Sequence, residues 1–263
     1  MAPENGFPRA PTLRGGPHSR RIVVISPHLD DAILSLGAAI HRAALRGASV
    51  DVLTVFAGDV GSPCCAGDWD SASGFTMAGE AAAARRREDL SACRALGARP
   101  VWLSFGDEQY PRGGDALEIL AAITGQIAGA ELVLVPGFPL HHQDHDWLAR
   151  TLAGVDLGAE AVAAYVEQPY ACLAGETPPD GDEWAALAAP PPSIRMKQDA
   201  CRTYRSQLPV LPQGMLSDIA DYELRRGGEA IRYLSGSVAS FTATVAEVWP
   251  GQAAPDIATA TAR

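Results

Sequence analysis

The stretch Ile22-Val23-Val24-Ile25-Ser26-Pro27-His28-Leu29-Asp30-Asp31-Ala32 decides how this chain is read. Four consecutive β-branched apolar residues predict a strand buried on both faces. An imidazole and two carboxylates then stand where that strand ends. Beyond them Ile33, Leu36, Ala39, Ile40, Ala43 and Leu45 recur at near-helical spacing up to Gly47, a C-cap candidate. The local order is strand, acidic turn, helix.

The same alternation continues outward. Strands are predicted at 22–26, 50–56, 101–104, 132–135 and 161–166, and helices at 81–96, at 115–129 and from 145 to 153. Strands separated by helical stretches give an α/β fold with a mostly parallel sheet and helices on its faces. Residues 58–79 hold five glycines and exceed an ordinary connector, so they read as a lid. Within the helix at 81–96, Arg85-Arg86-Arg87-Glu88-Asp89 reads as a solvated face with one arginine free to turn inward. The proline-rich stretch 174–193 reads as loop and 194–207 as a surface helix. One domain, 21–250, is expected between flexible segments at 1–20 and 251–263.

Composition excludes several partners. A formal charge of −10 over 263 residues argues against nucleic acid and anionic membrane surfaces, which require clustered Lys and Arg. No apolar run is long enough to span a bilayer and no apolar signal segment opens the chain, so a cytoplasmic protein is expected. The five cysteines, Cys64, Cys65, Cys93, Cys172 and Cys201, form neither a C-x-x-C pair nor a regular disulfide framework; Cys93 reads as core. The first strand–helix turn lacks G-x-G-x-x-G and offers two carboxylates, which disfavours a dinucleotide pyrophosphate.

A second cluster, His141-His142-Gln143-Asp144-His145-Asp146, follows the apolar run Leu132-Val133-Leu134-Val135. Ligands of an open α/β sheet bind at the carboxyl ends of its strands, where both clusters lie. A catalytic zinc takes three protein ligands and keeps one open position. His28 and Asp31, three apart at a turn, can face one ion, leaving Asp30 to take a proton from the attacking water. One histidine of the second cluster can complete the site and another can face the scissile carbonyl, with Asp144 placed to hold an imidazole. Spacing leaves open which histidine does which. His41 reads as a satisfied core residue and His141 as a neighbour of the site.

The two motifs, His28-Leu29-Asp30-Asp31 and His142-Gln143-Asp144-His145, resemble those of the LmbE-like or PIG-L zinc N-deacetylases. The resemblance implies a Rossmann-like three-layer sandwich and Zn2+ on His28, Asp31 and His145. It implies Asp30 as general base, His142 as the residue that stabilises the oxyanion and assists amine departure, and Asp144 as the partner of His142. Arg85-x-x-Glu88 and Gly106-Asp107 resemble the family's substrate-facing helix and turn, which implies Arg85 and Asp107 on sugar oxygens. Leu29 and Ala32 stand where the family commonly has Pro and Glu, and Leu140 where some members carry tyrosine. The Pro-His-Leu-Asp-Asp-Ala form resembles the branch tied to actinobacterial natural products.

The expected function is hydrolysis of an N-acyl amino sugar, an N-acetylglucosaminyl unit of a small-molecule glycoside, with loops 58–79 and 167–194 selecting the acceptor. A hydrolase of another bond, such as a phosphoester, would usually hold two metals, and this chain offers few further ligands. A catalytically inactive sugar-binding protein would not require Asp30.

Overall fold

A computed structural model describes residues 20–59, 64–179 and 184–251. The expected flexible segments fall outside them, apart from Arg20 and Gly251. The chain opens with β1 (Arg21–Ser26), α1 (Asp31–Leu45), β2 (Ser49–Thr54), α2 (Asp68–Ala72), α3 (Ala78–Ala95) and β3 (Arg99–Trp102). Then come α4 (Ala116–Ile127), β4 (Leu132–Phe138), α5 (Gln143–Leu152), β5 (Ala161–Val166) and α6 (Tyr170–Ala174). The last elements are β6 (Trp184–Leu187), α7 (Pro191–Cys201), α8 (Met215–Arg225), β7 (Glu229–Gly236) and α9 (Val238–Val248).

The strands form one sheet in the order β3-β2-β1-β4-β5-β7-β6. β1 to β5 pair in parallel, whereas β7 runs antiparallel to both β5 and β6. Alternation along β1 divides the core. Ile22 and Val24 pack on one face with Ile33, Leu36 and Ile40 of α1 and Phe241 of α9, while Val23 and Ile25 pack on the other with Ile119 and Ile123 of α4 and Leu148 of α5. This is a three-layer α/β sandwich. Strand order reverses between β1 and β4, so the ends of these two strands flank the crevice where such sheets bind ligands.

Several boundaries correct the sequence reading. β3 begins at Arg99, ahead of the expected 101, and includes Pro100; an edge strand bonded only to β2 tolerates a residue without an amide hydrogen. The expected loop at 174–193 contains β6 and the start of α7. The helix expected on the surface at 194–207 is α7, which ends at Cys201 and buries Ser193, Lys197, Ala200 and Cys201. Lys197 Nζ lies 2.5 Å from Glu223 and 2.7 Å from Glu229, whose carboxylate accepts from the amides of Ala38 and Ala39 where α1 kinks at Leu36. The charged run on α3 is only partly a solvated face: Arg87 is exposed, Arg85 turns inward to Asp70, and Asp89 is buried. Asp89 is fully buried, accepting from Trp102 Nε1 at 2.7 Å and from the Tyr204 hydroxyl at 2.9 Å. His41 is half-buried against Ser193 Oγ rather than in the core, while Cys93 is core.

Among the described residues no helix is long and apolar enough to cross a membrane.

Candidate functional site

The turn after β1 is built so that neither aspartate is used for capping. Ser26 Oγ accepts from the Ala32 amide at 3.0 Å and takes over the start of α1. The Asp30 side chain makes no cap hydrogen bond. Asp31 folds back to accept from the His28 amide at 2.8 Å, which aims its carboxylate at the imidazole three residues before it.

At the end of β4, Leu140 adopts a φ of 58°, rare for a branched side chain, and its amide donates to Glu167 Oε2. The chain then enters α5 with His142 as N-cap, its Nδ1 accepting from the Asp144 amide at 3.2 Å. That leaves the Nε2 proton of His142 directed at Glu108 Oε1, 3.2 Å away.

Three donor atoms from the two strand ends converge. His28 Nδ1 lies 3.2 Å from Asp31 Oδ2 and 3.2 Å from His145 Nε2, and His145 Nε2 lies 3.1 Å from Asp31 Oδ2. Tetrahedral zinc ligands, each about 2.0–2.2 Å from the ion, stand roughly 3.3 Å from one another, so the donor triangle fits such an ion. His142 brings a further nitrogen within 4.8 Å of the other two imidazoles.

Each imidazole of the triangle is held from behind by a carboxylate. Glu167, fully buried after β5, meets His145 Nδ1 at 2.6 Å. Asp144, also fully buried, meets His28 Nε2 at 3.0 Å. These contacts leave Nε2 of His145 and Nδ1 of His28 as the free lone pairs, the arrangement that metal-binding histidines favour.

This corrects the expected partner of Asp144. Its carboxylate serves His28 and accepts from Arg112 at 2.6 Å and from the Glu108 amide at 3.0 Å; only its backbone reaches His142. The Arg112 guanidinium lies over the rings of Phe56 and Trp147, 4.2 and 5.0 Å from their centroids. His141 is exposed and pairs with Glu176, outside the triangle.

The electrostatics favour a cation here. Burial opposes charge on the imidazoles, but Asp144 and Asp31 raise His28 well above its ordinary range, and Asp31 with Glu167 raises His145 to about 9. Burial likewise pushes Asp31 up, yet His145 and His28 outweigh it and hold that carboxyl well below the carboxylate range. A divalent ion would satisfy the same carboxylates and release the imidazole protons. Asp30 differs from its neighbour: burial first, and the Asp31 charge second, push it up to about 6.

Arg85 on α3 and Asp107 after β3 lie beside this centre, with Arg85 Nη1 3.8 Å from Asp107 Oδ2. Arg85 is also paired with Asp70 of α2, whose carboxylate accepts from the Tyr110 hydroxyl at 2.5 Å. Of the expected lid, α2 and an isolated β-bridge between Cys65 and Met77 are described, and residues 60–63 lie outside the described ones. An open cavity of 820 Å³ adjoins the site, lined by Asp107, Glu108, Tyr110, Arg112, Gln143 and Trp147 among others.

Sequence reasoning missed Glu167, Glu108 and Arg112. Glu167 left a trace, a charge directly behind the buried run 161–166; the other two left none, since their partners are distant in sequence.

The family model for GlcNAc-PI de-N-acetylase, PIG-L, matches residues 23–154, a span that contains both motifs. No curated protein matches the chain. Among solved structures, the A40926 pseudoaglycone deacetylase Dbv21 is 29% identical with a TM-score of 0.70, covering 81% of this chain and 96% of its own. A triple mutant of a deacetylase involved in the teicoplanin biosynthetic pathway is 28% identical with a TM-score of 0.71, covering 82% and 98%. The 4-carboxy-2-hydroxymuconate hydratase GalB of Pseudomonas putida KT2440 shares the fold at 19% identity, with a TM-score of 0.60 and coverage of 83% and 97%. A fold that also serves a hydratase leaves the reaction to be argued from the site. With its two motifs meeting across β1 and β4 inside the matched span, the chain belongs to the PIG-L family of GlcNAc-PI de-N-acetylases.

Proposed function

We propose that this protein is a zinc-dependent N-deacetylase acting on an N-acyl amino sugar, an N-acetylglucosaminyl unit of a small-molecule glycoside such as a glycopeptide antibiotic precursor. The observation that carries the reading is the triangle of His28 Nδ1, Asp31 Oδ2 and His145 Nε2, with edges of 3.1–3.2 Å and an unused carboxylate, Asp30, next to it in sequence. His28, Asp31 and His145 would hold Zn2+. Bound there, the ion supplies Lewis acidity towards the acyl carbonyl and makes a water more acidic.

The chain's own groups do the rest. Asp30, raised towards neutrality by burial, accepts the proton of the attacking water and passes it to the departing amine, so that amide and water become carboxylate and amine. His142 keeps its proton on Nε2 because Nδ1 caps α5, and it donates that proton's hydrogen bond to the carbonyl oxygen as negative charge develops there. Asp144 and Glu167 fix the orientation of His28 and His145. Arg85 and Asp107 face the sugar oxygens, and the adjoining cavity accommodates the remainder of the acceptor. Five free cysteines suit a reducing, cytoplasmic setting.

The test is acetate release from an N-acetylglucosaminyl glycoside beside phosphate release from an aryl phosphoester, with zinc-loaded, chelator-stripped and zinc-restored protein. The reading requires release from the amide alone, lost with the metal and recovered with it. Phosphoester cleavage, or amide cleavage that survives complete chelation, contradicts it.

A further inference from the structure

Asp70 sits on α2, whose immediate neighbours Asp68, Trp69 and Ser71 are all exposed, yet it is only 2% exposed itself. Its carboxylate enters a pocket of 20 Å³ lined by Leu29, Phe56, Arg85, Asp107 and Tyr110 among others. There it pairs with Arg85 and accepts from the Tyr110 hydroxyl at 2.5 Å. Burying a carboxylate is costly unless it is paired. Arg85 therefore faces two acids, Asp70 in contact and Asp107 at 3.8 Å.

Anchoring the segment does not require that carboxylate. The amides of Trp69 and Asp70 donate to Gln109 Oε1 at 2.8 and 3.2 Å, the Gly67 amide donates to Tyr110 Oη at 2.8 Å, and Trp69 Nε1 donates to Gln207 Oε1 at 2.8 Å. A β-carbon on Gly67 would stand 2.8 Å from Gln109, which shows how closely this backbone is seated. What the carboxylate does add is a negative charge on the one arginine that the deacetylase reading turns towards substrate. Two buried Arg85 nitrogens, Nε and Nη2, have no well-formed hydrogen bond among the described residues, and of these Nη2 is the one that ion-pairs with Asp70. Guanidinium donors whose charge is already balanced by two carboxylates suit a neutral oxygen, a hydroxyl or carbonyl, while the negative charge of Asp70 and Asp107 disfavours an anion.

We infer that Asp70 sets the charge specificity of the sugar site: by occupying Arg85 it makes the enzyme select N-acyl amino sugars whose ring carries only hydroxyls and reject those whose ring carries a carboxylate. This rests on the deacetylase reading, and the experiment separates the two.

Wild type and Asp70→Asn are compared on an N-acetylglucosaminide and on the matching glycoside oxidised to a carboxylate at C6. The neutral-to-acidic ratio of kcat/KM should fall by on the order of 10- to 100-fold in Asp70→Asn, the range of a hydrogen bond to a charged group, through a gain on the acidic sugar. Adding Arg85→Gln to Asp70→Asn should abolish that gain. An unchanged ratio overturns the inference, as does an equal gain on both sugars, which would make Asp70 a plug. If zinc-loaded wild type cleaves neither sugar, the deacetylase reading fails; charge selection is then decided by NMR titration of both sugars, in which only Asp70→Asn should gain affinity for the acidic one. Should Asp70→Asn not fold, Asp70→Ser, which removes the same charge with a smaller side chain, should move the ratio in the same direction, whereas an unmoved ratio there counts against the inference.

Discussion

The carboxylate of Asp144 lies 3.0 Å from Nε2 of His28, joining two residues 116 positions apart, and not against the imidazole of His142 two residues away. Neighbours in a motif need not be partners. Asp144 starts α5, and Arg112 and the Glu108 amide draw its side chain across to the β1 turn.

Asp144 should therefore act on the metal. Asp144→Asn is expected to weaken zinc affinity by about 10- to 100-fold, the usual cost of losing a carboxylate behind a ligand histidine. Competition with a chelator of known affinity measures this. Unchanged affinity with a fall in kcat would return Asp144 to His142.

Glu167 should behave alike from the other side. Glu167→Ala leaves the buried His145 Nδ1 without its 2.6 Å partner and should lower both zinc affinity and stability, the latter by about 1–3 kcal/mol. Chemical denaturation of the metal-free variant isolates the stability part. A variant as stable and as tight for zinc as wild type would show the contact to be idle.

Asp30→Asn should retain zinc and lose roughly 10²- to 10⁴-fold in turnover, because the amide cannot accept a proton. Elemental analysis beside single-turnover kinetics tells the two apart. Turnover near wild type would move the base elsewhere.

Asp89 carries a pH signature independent of the metal. Burial raises its carboxyl from 3.8 to about 7, against the opposing bonds from Trp102 and Tyr204. Above pH 3.8 the unfolded chain releases this proton while the folded chain keeps it, so stability falls as pH rises from about 4 through about 7. The full effect is about 4 kcal/mol, and Asp89→Asn should remove that slope. Urea midpoints for both proteins at pH 4.5, 6 and 8 would test it; parallel curves would contradict the assignment.

The fold was legible where side-chain period and strand length agree. Ile22 to Ser26 and Ala161 to Val166 are apolar runs bounded by turns, and each became a strand. β6 was hidden because Trp184-Ala185-Ala186-Leu187 lies among prolines and is half alanine, a weak strand former. β7 escaped notice because it carries Glu229 and Arg232, whose partners, Lys197 for Glu229 among them, come only with tertiary structure. The same division holds in the site. His28 and Asp31 were readable together because their spacing at a turn lets both side chains face one point, whereas spacing left His142 and His145 open and only the family resemblance singled out His145. Glu108, Arg112 and Asp70 were not, since each is defined by what it meets across the crevice.

The chemistry of this site turns on where the metal sits. Anomalous diffraction at the zinc edge from crystals of zinc-loaded protein locates it directly. One peak about 2.0–2.2 Å from His28 Nδ1, Asp31 Oδ2 and His145 Nε2, with Asp30 unligated, is the predicted result. A peak bound through His142 or Asp30, or none at the ends of β1 and β4, would contradict the account.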